Sequence, residues 1–220
     1  MTEDENHEGI FDYDEDGKVN FIDRITTQLE FVGGVEIARR YLAMNSFDGV
    51  LPVIGIVLGG IISLANSPPE AVYTTTLLAA IGTGLAMFVS GISSSYLTEQ
   101  AERKREFKAL EYSMLSDLSK SAYAKATRTT TIVVSLINGL SPTLSVIATI
   151  APLVLVPLGI ASVFVAFIYC VVAGLVLLFI LGVFLGSVSR ESIISYGLKT
   201  LAAGLIVVVL MWVISLLTGA

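Results

Sequence analysis

Cysteine and histidine occur once each in the 220 residues. The lone Cys170 excludes an intramolecular disulfide and argues against a thiolate metal cluster built within one chain; it reads as packing. His7 lies in a polar tail and reads as solvated. No Ser/His/Asp or Cys/His arrangement, phosphate-binding loop or haem motif is present, so the chain is not expected to be an enzyme. The most consequential absence is of charge. No Asp, Glu, Lys or Arg falls within 49–69, 71–98, 129–189 or 200–220. Each run is at least as long as the roughly 20 residues a helix needs to cross a bilayer core, and the third is long enough for two crossings with Pro152 and Pro157 at the bend.

What is present agrees. Hydrophobic residues make up 54% of the chain and the mean hydropathy is +0.80, the composition of a protein folded in lipid. The expected fold is all-α and polytopic, with five transmembrane helices. A cytoplasmic N-terminus places Lys18, Arg24, Arg39, Arg40, the Arg103 to Arg128 connection, Arg190 and Lys199 all inside. The C-terminus and both outer turns are then left without a basic residue. An even number of spans would strand basic residues outside. The first twenty residues are acidic and lack an apolar core, so no cleavable signal peptide is expected.

The net charge of −6 is unevenly placed. Residues 1–40 hold eleven acids against four bases, whereas Glu99 to Arg128 holds five acids against seven bases. An acidic tail points to cations as partners and away from nucleic acid. Two parts are expected: a tail over 1–37 and a five-helix membrane domain over 38–220.

Within the tail, the twelve residues from Asp12 to Asp23 fit a calcium-binding EF-hand loop position by position. Asp12, Asp14 and Asp16 supply hard oxygen ligands at positions 1, 3 and 5, and Gly17 permits the sharp turn at position 6. Lys18 offers its backbone carbonyl at position 7, and Val19 anchors the loop. Asn20 ligates directly or through water, and Asp23 closes the shell. Asp in place of Glu at the last position makes the loop similar to those of dockerins as well as to those of calmodulin-like sensors. Phe21, Ile22, Ile25, Leu29, Val32, Val35 and Tyr41 then recur at three- and four-residue steps, the pattern of an amphipathic helix, with Gly33-Gly34 as a break. Such a helix either anchors the tail or couples the calcium loop to the first span.

Several polar residues stand in or beside the apolar runs. Asp48 precedes Gly49 and the helix-kinking Pro52, with Asn45 one turn earlier. An acid at the edge of a span is a functional candidate, or else a residue of the headgroup layer. Met87 lies in the small-residue segment Gly82 to Gly91 and is either core filler or a thioether ligand for a borderline-soft metal. The second span continues without a breaker into Glu99, Glu102 and Glu106, spaced to share one helix face. They can receive a cation or pair with Arg103 and Arg105. Asn138-Gly139-Leu140-Ser141-Pro142 forms a polar, helix-loosening patch in the third span. Gly55-x-x-x-Gly59 and Gly182-x-x-x-Gly186 point to tight helix contacts within the chain or to oligomerisation.

Over about residues 38–220 the chain resembles the vacuolar iron transporter family in its short prokaryotic branch. The resemblance is carried by Arg39-Arg40-Tyr41, Asn45 and Phe47-Asp48-Gly49; by Gly84, Met87 and Gly91; by the Tyr96 to Glu106 extension; and by Gly139-Leu140-Ser141-Pro142. It implies a homodimer in the prokaryotic plasma membrane that exports Fe²⁺, and often Mn²⁺, from the cytoplasm in exchange for protons. Asp48 and Met87 would line the pathway, with Glu99 and Glu102 capturing metal. The short Arg103 to Arg128 connection replaces a longer acidic region of that family, and the calcium-binding tail is an addition to it. A calcium-gated cation channel and a non-transporting calcium-binding scaffold are the competing expectations.

Overall fold

Glycine and proline punctuate this chain where the helices begin and end. In the computed structural model, which describes residues 21–115 and 121–219, Gly33 adopts φ +67° and separates α1 (Phe21–Phe31) from α2 (Gly34–Ser63). That left-handed conformation costs glycine little and other residues more, so the amphipathic segment stops there and restarts. Pro69 opens α3 (Pro69–Met114), where its missing N–H is no loss. Ser121 caps α4 (Ala122–Ile150), its hydroxyl accepting from Ala124 N at 3.2 Å. A 3-10 turn at Ala151–Leu155 and the Pro157 to Gly159 segment reverse the chain into α5 (Val163–Ser189). Ser192 then caps α6 (Ile193–Thr218).

Among the described residues there is no strand, and five helices are long and apolar enough to cross a membrane. They correspond to the five charge-free crossings, with the double crossing turning at Pro152 and Pro157. At about 1.5 Å per residue, the 46-residue α3 reaches about 70 Å, more than twice the thickness of a bilayer core. Large apolar side chains lie exposed along the helices, among them Leu205, Ile206, Val209, Leu210, Trp212 and Leu216 on α6. Such a continuous apolar flank has no place in water and suits lipid. The chain is an integral membrane protein.

The described residues form two compact units. One combines 21–40 with Ser93–Leu136, so α1 is packed with the extended ends of α3 and α4. Tyr123 stacks on Phe107 at 6.2 Å and meets Phe31 edge-on at 6.3 Å. Gly34 abuts Thr130 closely enough that a Cβ would lie 2.5 Å from the Thr130 methyl.

The other unit combines Tyr41–Ile92 with 137–219. Its core contains Val53, Val57, Val146, Phe167 and Cys170, with Val50, Ile54 and Leu178 in a second cluster. Cys170 is fully buried there, as expected of a packing residue. The Gly182 and Gly186 pair is used within the chain: their Cα faces meet α6 at Gly197 and Ile193, and Thr200 Oγ1 donates to Leu178 O at 2.8 Å. Gly55, by contrast, has no neighbouring element within 4 Å of where a Cβ would stand among the described residues. Its motif makes no tight contact inside the chain at that residue.

Candidate functional site

The seam of α2, α3 and α4 near Asp48 is set by backbone proximity. Gly49 lies against Pro142, its absent Cβ leaving room for the Pro142 Cα at 2.8 Å, and Gly91 lies against Gly139 in the same way, Cβ to Cα 2.8 Å. Glycine is required at these points because any side chain would meet backbone. With Gly49 and Val50 turned inward, Asp48 faces outward and is exposed.

Asn45 sits one turn before Asp48. Its Nδ2 donates to Tyr41 O at 2.8 Å and to Asn138 Oδ1, while Asn138 Nδ2 donates to Gly91 O at 2.9 Å. Two amides thus tie three helices together, and the N–H donors of Asn45 are committed to structure. Pro142, which has no N–H, leaves the Asn138 carbonyl without its helical donor. Thr143 Oγ1 lies 2.9 Å from Gly139 O and 3.2 Å from Gly84 O, sharing one hydroxyl between its own helix and α3. Gly84 faces Val146, whose Cγ1 would lie 3.3 Å from a Cβ added there. It serves the chain's own interior.

Met87 is half-buried and packs against the apolar cluster containing Val53, Val57, Val146 and Phe167. That surrounding fits the filler alternative. Met44, which sequence reasoning passed over, is 55% exposed and stands four residues before Asp48. Its signal was that spacing alone. A second missed feature is a buried polar stripe on α4 formed by Thr131, Ser135, Asn138, Ser141, Ser145 and Thr149. The hydroxyls of this stripe donate to carbonyls four residues back, from 2.5 Å for Ser141 to 3.0 Å for Thr131 and Ser145. The recurrence of Ser, Thr and Asn at three- and four-residue steps was legible as an inward face.

The three glutamates of α3 do not act alike. Glu99 Oε2 lies 3.4 Å from Arg103 Nε, with side chains only 12% and 7% exposed, whereas Glu102 and Glu106 are exposed. The separation is that of an ion pair, but Arg103 Nε makes no hydrogen bond of good geometry. Among the described residues no group of three or more His, Cys, Asp or Glu side chains is placed to hold a metal ion. Of the calcium loop, Asp12, Asp14, Asp16, Lys18 and Asn20 lie outside the described residues. Asp23 falls in the first turn of α1, where its carbonyl accepts from Thr27 Oγ1 at 2.8 Å.

The hydroxyls of Ser95, Thr127 and Thr130 are also buried without a hydrogen-bond partner among the described residues. Thr130 is fully buried, and an unpaired hydroxyl there costs roughly 1–3 kcal/mol. Thr130→Val, close in shape, is therefore expected to stabilise the protein by about 1 kcal/mol. Thr149→Val, which removes a hydroxyl bonded to Ser145 O at 2.8 Å, is expected to bring no gain. Thermal unfolding of both variants in detergent checks this, and equal shifts would show that the Thr130 hydroxyl is not unpaired.

Fold and site together define a polytopic α-helical membrane protein with an outward-facing acid on its first span. No family model matches the sequence. The chain is 31% identical over 182 residues to the uncharacterized protein MJ0645 of Methanocaldococcus jannaschii, the match taking in 81% of this chain and 89% of that one. It belongs to the same family as that archaeal protein.

Proposed function

We propose that the protein is a divalent-cation transporter that carries Fe²⁺ or Mn²⁺ out of a prokaryotic cytoplasm across the plasma membrane in exchange for protons. The observation that carries this reading is the exposed Asp48 carboxylate on an apolar spanning helix, next to Gly49 and with Pro52 one turn on. A carboxylate holds a divalent ion as an anion and takes up a proton when the ion leaves, which is the chemistry an exchanger needs. The distribution of basic residues supports a cytoplasmic N-terminus and an external C-terminus. Exposed Glu102 and Glu106 then stand where cytoplasmic metal arrives. A homodimer is the assembly this reading takes, with α2 of each copy at the shared pathway.

The acidic tail binds Ca²⁺ through Asp12, Asp14, Asp16, Lys18, Asn20 and Asp23. Asp23 lies within α1, the helix that would follow such a loop. Only Val32 and Gly33 separate α1 from α2, which favours a second reading in which calcium gates a cation channel through the same bundle. Metal-resolved flux in proteoliposomes, with and without Ca²⁺ on the tail side, tests both. Saturable Mn²⁺ or Fe²⁺ uptake accompanied by proton counterflow is expected of the transporter. Flux that is uncoupled from protons and appears only with Ca²⁺ is expected of the channel, and the absence of any metal flux would sink both.

A further inference from the structure

The exposed flank of α2 carries a second potential ligand beside Asp48. We propose that Met44 supplies a thioether to the cation held by Asp48, making the flank a paired soft and hard donor set for a borderline divalent metal. This rests on the reading of Asp48 as the transport acid.

Residues four apart on a helix stand on one face with Cβ atoms about 5–6 Å apart, and helical side chains lean back over the preceding turn. The Asp48 carboxylate therefore leans over the turn that bears Met44. Both side chains face outward: Met44 is 55% exposed and Asp48 is exposed, whereas Ala43, Ser46 and Val50 between and beside them are buried. Rotation about the Cα–Cβ and Cβ–Cγ bonds lets the Met44 sulfur reach a cation at the carboxylate without moving backbone. Met87, half-buried, packs against the apolar cluster instead. Carboxylate oxygen alone favours hard ions such as Mg²⁺ and Ca²⁺, and a thioether at the same cation shifts preference toward softer ions. Water completes the shell, as release of a transported ion requires.

The test uses the full chain in proteoliposomes with Cd²⁺ as the soft probe and Mn²⁺ as the harder one, read as the ratio of their initial uptake rates. Met44→Leu is expected to lower the Cd²⁺ to Mn²⁺ ratio about tenfold, and Met44→Cys, whose thiolate is a stronger soft ligand, to raise it. A residue needed only for packing would not move the ratio in opposite directions. If Asp48→Asn is inactive and neither Met44 variant moves the ratio, the thioether assignment falls and the acid reading stands. If Asp48→Asn transports normally, both fall.

Discussion

Asp48→Asn is expected to remove nearly all divalent-cation flux while leaving the folded protein at least as abundant as wild type. The two halves of that expectation come from one fact, the position of an acidic side chain on the outer flank of an apolar helix. An aspartate at the centre of a span costs roughly 2.5–3.5 kcal/mol on insertion and less toward the boundary. Its amide is cheaper to insert and keeps its shape, so folding gains or is unchanged. Flux loses the negative charge that attracts a divalent ion and the proton acceptor that exchange requires. A structural acid would give the reverse, since removing it would disturb packing and leave any transport route intact. The measurement is the initial rate of Mn²⁺ uptake in proteoliposomes at matched protein density, with Asp48→Glu as the variant that retains charge. Near-normal uptake by Asp48→Asn would make the acid a headgroup-layer residue and place the route elsewhere.

The crossings and their turns could be read from the sequence because they depend on one strong term, the cost of charge in hydrocarbon. Four charge-free runs, Gly33 and the Pro152 to Pro157 bend sufficed to place five spans. Which side of each span faces inward was much less legible. Lipid and protein interior are almost equally apolar, so a membrane helix carries little hydrophobic periodicity to reveal its buried face. Gly55, Gly84 and Gly182 looked equivalent as small residues, yet Gly84 meets Val146, Gly182 meets α6, and a Cβ added at Gly55 would meet no neighbouring element within 4 Å among the described residues. The same blindness left Met87, half-buried against the apolar cluster, and the exposed Met44 indistinguishable in the sequence. Asn45 looked like a possible metal ligand because its partner, Asn138, is 93 residues away in the chain. The polar stripe of α4 was the readable part of the buried seam, since Ser, Thr and Asn keep their periodicity where apolar residues lose theirs.

That seam also yields a large expected effect on stability, at Gly91. An added Cβ there would stand 2.8 Å from both Asn138 O and Gly139 Cα and 3.0 Å from Gly139 N, all backbone atoms that cannot rotate aside. Gly91→Ala must therefore push α3 and α4 apart, and doing so strains the 2.9 Å bond from Asn138 Nδ2 to Gly91 O. Overpacking of this kind costs about 1–3 kcal/mol, and a strained interhelical hydrogen bond adds about 0.6 kcal/mol or more. A loss of about 2–4 kcal/mol is expected from the two together. Asn138→Ala removes the bond without the clash and should cost less. The double variant should fall short of the sum, because both changes act on one contact. Gly55→Ala is the control: with open space at its Cβ position, it should shift stability by no more than about 0.5 kcal/mol. Thermal unfolding of the four variants in one detergent gives the comparison. If Gly91→Ala proved as harmless as Gly55→Ala, the close approach of α3 and α4 would not be holding the bundle together.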